Sequence, residues 1–157
     1  MTKKLVGLAM SPQTIGAAGT DGALGQYSFR NTPGTRQPGA SSHPGAYLLE
    51  LSSFVRKLLA SGRYNHLAVV SAEYGINTKS FFDADVHARM LGVVTAIACE
   101  CDCKTIELPP RAVSEMAIGR KGAKYEDYQQ AAARNGQSIK GLHASEAYWI
   151  MICASKE

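Results

Sequence analysis

What most constrains this chain is the order of its apolar segments. Three short runs separated by turn residues come first, and a regular alternation of amphipathic and apolar stretches follows. KLVGLAM (4–10), TIGAAGT (14–20) and ALGQYSFR (23–30) read as strands, the last two joined by the turn-forming pair Asp21-Gly22. From Pro44 to about Ser61, the residues Leu48, Leu51, Val55, Leu58 and Leu59 recur at three- and four-residue spacing. They predict a helix with Pro44 in its first turn and Gly62 at its stop. HLAVVSA (66–72) is apolar almost throughout, as a buried parallel strand is. Residues 81–100 predict a second helix and KTIEL (104–108) a fifth strand, ended by Pro109-Pro110. Residues 110–117, 124–134 and 143–155 predict three more helices. Strand–helix alternation calls for right-handed crossovers and parallel strands, so the expected fold is α/β with a five-stranded mixed sheet flanked by helices.

The 157 residues are expected to form one domain, 1–157, long enough to bury a core without disulfide or metal staples. NTPGTRQPGASSH (31–43) is a Pro/Gly/Ser-rich loop rather than a linker. With 45% hydrophobic and 19% charged residues, the chain is globular and not disordered. Its apolar runs fall short of the ~20 residues that cross a bilayer, so no membrane partner is expected. MTKKLVGLAMSP reads as the start of a strand and not as a signal-peptide core, which makes a cytoplasmic location the expectation. A formal net charge of +4 is compatible with a polyanionic partner. Cys99, Cys101 and Cys103 in CECDC read as small apolar residues where a helix end runs into a strand. A zinc set would need Cys153 to complete it, and the spacing does not favour one.

Five stretches in collinear order resemble the RuvC-like Holliday-junction resolvases found in many bacteriophages, members of the RNase H-like superfamily. They are GLAMSPQTIGAAG (7–19), GQYSFR (25–30) leading into HPGAYLLELSSFVRKLL (43–59), HLAVVSAEYG (66–75), LPPRAVSEMAIGRKGAKYEDYQQAA (108–132) and HASEAYWIM (143–151). Together they span nearly the whole chain. A three-strand meander leading into parallel crossovers is also the element order of the RNase H fold. The resemblance implies Mg²⁺- or Mn²⁺-dependent hydrolysis of branched DNA by two ions held on carboxylates. Those carboxylates would come from the first strand, the fourth strand and the last helix.

The chain departs from that pattern at several positions. Ala9 stands where the resemblance implies the first-strand aspartate, and a methyl group cannot ligate a metal. Glu73 lies one residue beyond the family position, which is Ala72; it reads either as a ligand or as a surface glutamate at a strand end. On the last helix His143 and Glu146 are three apart and can face one way, and the resemblance implies both as catalytic and metal-site residues, with His143 reading otherwise as a cap or surface group. Glu146 aligns with the family aspartate, and a competing alignment puts Tyr148 there. Ser114 replaces a lysine. Arg111, Arg120, Lys121 and Lys124 cluster around a glycine-rich turn and read as phosphate contacts or as a solvated loop. Lys79 and the Arg36/His43 loop are weaker additions. Three readings follow: a structure-selective endonuclease impaired at Ala9, a non-catalytic junction-binding or scaffold protein, or an interaction module with no nucleic-acid role. A homodimer is expected, with Phe81 and Leu91 of the second helix as candidate interface residues.

Overall fold

A computed structural model describes residues 2–33, 45–72 and 81–157, with the side chains of Phe81 and Phe82 outside the description. The element order is β1 (Leu5–Met10), β2 (Thr14–Gly19), β3 (Leu24–Ser28), α1 (Ala46–Ala60), β4 (His66–Val70), α2 (Phe81–Glu100), β5 (Lys104–Leu108), α3 (Pro110–Ile118), α4 (Tyr125–Arg134) and α5 (Leu142–Ser155). The sheet order is β3-β2-β1-β4-β5. β1, β2 and β3 pair antiparallel, whereas β4 pairs parallel with both β1 and β5. This is the mixed sheet expected from the sequence. Pro44, Glu73, Lys79, Arg36 and His43 lie outside the described residues.

The pleat sorts β1 into two unlike faces. Val6, Leu8 and Met10 join Ile15, Leu67, Val69 and the apolar stripes of α1 and α2 in one core. Leu5 and Ala9 join Ala18, Ala68 and the helices α3 to α5 in the other. On this second face the strands carry small residues, so α5 lies directly on the sheet. A methyl group at Gly7 would fall 2.6 Å from the Ala147 carbonyl oxygen, and one at Gly16 would fall 2.3 Å from that of His143. Because Gly16 is the register partner of Ala9, the start of α5 is held over the end of β1 where Ala9 sits.

The cysteines divide between the faces. Cys103 belongs to the α1/α2 core and Cys153 to the α5 core, which leaves no set that spans CECDC and Cys153. Cys99 is exposed, Cys101 is half-buried against the α1/α2 core, and only Cys103 of the three is fully buried as expected. On α2, Met90 is fully buried and Leu91 is half-buried against the α1/α2 core. The exposed large apolar side chains among the described residues are Leu24, Leu49 and Met116. No described helix is long and apolar enough to cross a membrane.

Candidate nucleic-acid interface

The site is built where α3, the turn after it, α4 and the first half of α5 meet. α3 ends at Gly119 with φ 76°, and Gly122 follows with φ 82°, two left-handed positions that glycine fills without strain. Ser114, 3% exposed, closes this turn from inside. Its hydroxyl donates to the Arg120 carbonyl at 2.5 Å and accepts from the Ala123 amide at 2.8 Å. A serine therefore does local backbone work where the resemblance would place a lysine. α4 starts beyond the turn, with the Lys124 amide donating to the Asp127 carboxylate at 2.9 Å.

Two cavities flank the turn and share Pro110, Gly122, Ala123 and Tyr128 as walls. The first, about 650 Å³, is lined by Arg111, Arg120 and Lys121. Arg120 and Lys121 are exposed. Arg111 is committed to Glu115 one turn along α3, at 2.6 Å, so its charge is already offset. The second cavity, about 550 Å³, has Lys124 and Glu126 at its rim and Tyr125, Tyr128 and Glu146 inside.

Glu146 is the partly buried acid of this corner, and its carboxylate makes no hydrogen bond among the described residues. Burial without a donor pushes that carboxyl up to about 7. Tyr125 is pushed up to about 12, by burial first and by the neighbouring Glu146 second. The same two causes raise Tyr128. The His143 ring packs on Tyr125 with centroids 4.5 Å apart, and burial holds the imidazole below its ordinary value. His143 and Glu146 thus share the side of α5 toward Tyr125, as their spacing predicts. Tyr148 points elsewhere: its hydroxyl accepts from the Asn135 amide at 2.9 Å, and it lines a separate groove with Gly19 and Met151.

Three participants were not singled out from sequence. The Gln26 side-chain oxygen on β3 accepts from the amides of His143 at 3.1 Å and Ala144 at 3.3 Å, and so caps α5 from across the sheet. Tyr125 and Tyr128, three apart at the start of α4, form the aromatic wall. Their spacing directly after a glycine-rich turn was the available signal. At the end of β4, a ring nitrogen of His87 donates to the Val70 carbonyl at 2.8 Å, and the Ser71 amide donates to Leu108 at 3.0 Å. Glu73 follows this pinned end and lies outside the described residues.

The carboxylate-held ion pair implied by the resemblance does not fit the described donors. Ala9 is 1% exposed and offers only a methyl group. Among the described residues no group of three or more His, Cys, Asp or Glu is placed to hold a metal ion. Glu146 and His143 remain as two donors, with Tyr125 packed against the imidazole.

The sheet order and the helix placement give an α/β fold of the RNase H-like type. Two solved structures of Thermus thermophilus RuvC share it. One matches at 16% identity over 95% of this chain and 91% of that one, with TM-score 0.63. The other, in complex with Holliday junction substrate, matches at 14% over 96% and 92%, with TM-score 0.64. The yeast mitochondrial Holliday junction resolvase Ydc2 matches at 9% identity over 99% of this chain and 78% of its own, with TM-score 0.51. No family model matches the sequence, and no curated protein matches it.

Proposed function

We propose that the chain binds branched DNA on a RuvC-type frame and does not cut it in the manner of an intact two-ion resolvase. The observation that carries this reading is the pairing at one corner. A turn presenting Arg120 and Lys121 beside a roomy cavity adjoins the cavity that holds Glu146, while the first-strand position implied for a ligand is the buried Ala9. Exposed cations on a glycine turn suit phosphate contacts, whose affinity rests on counterion release. The likeness to a RuvC solved with a Holliday junction substrate supports the choice of branched over linear DNA. Hydrolysis is the step the described donors do not support. A homodimer, matching the two-fold symmetry of a four-way junction, belongs to the same proposal.

The test is a binding titration of a four-way junction and a linear duplex at several salt concentrations. The junction should be bound more tightly, with affinity falling as a power of salt concentration. Replacing Arg120, Lys121 and Lys124 together by alanine should weaken binding at least tenfold and flatten the salt slope by about two to three contacts. Equal affinity for both DNAs, or a triple variant that binds like the parent, would overturn the reading.

A further inference from the structure

The cavity beside the turn has a chemistry that phosphate contacts leave unused. Inside it stand two tyrosines and one carboxylate with no donor among the described residues, while Lys124 and Glu126 stand exposed at the rim. Its volume of about 550 Å³ lies within the roughly 300–1,000 Å³ of ordinary ligand sites. It shares a wall with the cavity under Arg120 and Lys121. A ligand filling both would be flat and aromatic at one end, a hydrogen-bond donor at its edge, and anionic at the other end. That describes a nucleotide taken out of its stack.

Resting on the junction-binding reading above, we infer that the Tyr125–Tyr128–Glu146 cavity receives one unstacked nucleobase of the bound DNA and prefers guanine. Extruded bases are read by contact with aromatic side chains and by hydrogen bonds to the Watson–Crick edge. A carboxylate has two acceptor oxygens and, when ionised, no donor. Guanine presents two adjacent donors, N1–H and the N2 amino group, and satisfies both oxygens at once. Adenine and cytosine each present one amino donor beside an acceptor nitrogen. Thymine presents one N–H between two carbonyls, which face the carboxylate unfavourably. The phosphate flanking the base then falls to the turn, where Arg120 and Lys121 stand. In this account Glu146 selects a base at the position where the resemblance implies a metal ligand.

The experiment uses the full chain and four junctions that differ only in one unpaired nucleotide at the branch, G, A, C or T. The readout is the ratio of affinities measured on one preparation. The guanine junction should bind about tenfold more tightly than the thymine junction, the scale of one good bidentate contact. In Glu146→Leu the ratio should collapse to within about twofold. In Glu146→Gln the preference should move from guanine to adenine or cytosine, because a carboxamide pairs one donor and one acceptor with the amino group and ring nitrogen that both edges present. A purely structural role for Glu146 would not switch the preferred base. Affinity for all four junctions without a preference, or a preference unchanged in both variants, would overturn this inference and leave junction binding standing. No affinity for any of the four would overturn both.

Discussion

The two faces of the sheet are packed by opposite means. Toward α1 and α2, the core is made of large side chains: Leu8, Ile15, Leu51, Val55, Leu67, Met90 and Val94 interlock and are essentially inaccessible. Toward α5 the strands retreat to Gly7, Ala9, Gly16 and Ala18, and the helix backbone itself fills the space. The first face resists loss of volume and the second resists gain of it. The small-residue face also holds the candidate site, because a helix seated that close brings the His143 backbone onto Gly16 and its ring onto Tyr125.

The sharpest way to break this comparison is to change volume by opposite amounts on the two faces. Leu51→Ala removes three carbons from the large-residue core and should cost about 3 kcal/mol. Gly7→Ala adds one carbon, but against the carbonyl of Ala147 and the amide of Met151, neither of which can rotate away. It should cost a similar ~3 kcal/mol, the upper end of overpacking effects. Urea denaturation of the two variants measures both. A Gly7→Ala protein within 1 kcal/mol of the parent would mean that α5 is not seated as described.

Ala9→Asp sharpens the same contrast at the site. The position is 1% exposed, so a carboxylate there must be desolvated without a described partner, at a cost of about 3–5 kcal/mol. The expected result is a lower denaturation midpoint that Mg²⁺ does not restore. Recovery of the lost stability on adding Mg²⁺ would show that the residue at position 9 alone keeps this corner from holding the ion.

Glu146 makes the corner pH-sensitive in a direction that follows from its shift. Its carboxyl sits at about 7 in the folded chain against an ordinary 4.5, so folding takes up a proton between those values. The fold is therefore most stable on the acid side of this window and loses stability as pH rises from 4.5 through 7. Glu146→Leu should gain roughly 1–3 kcal/mol over the parent at pH 8 and much less at pH 4.5. Denaturation curves at the two pH values decide it, and an equal difference at both would remove the buried-carboxyl account. At the small end, Arg111→Ala breaks an exposed pair with Glu115 on α3 and should change stability by no more than about 0.5 kcal/mol. A larger loss would show that α3 depends on that pair.

Element order and type were legible because they rest on local signals. The stripe Leu51, Val55, Leu59 is buried as its spacing requires, and Gly62 with φ 70° lies just beyond α1. The site was legible in part. The spacing of His143 and Glu146 put them on one side of a helix, and the fold brought Tyr125 and the basic turn to that side. What sequence could not show is tertiary. Gln26 caps α5 from 117 residues away, and nothing local to GQYSFR announces it. Ser114 looked like a missing cation until the turn it closes was seen. The alternation of large and small residues along LVGLAM was visible, but its meaning depends on which helix lies on which face.

The central claim is that this chain engages a four-way junction and leaves it intact. The most direct measurement incubates the labelled junction with excess protein in Mg²⁺ or Mn²⁺, then resolves bound complex on a native gel and strand length on a denaturing one. The account predicts a retarded complex with all four strands at full length. Strands cut symmetrically near the branch by the parent chain, with cutting abolished in Glu146→Gln, would contradict it.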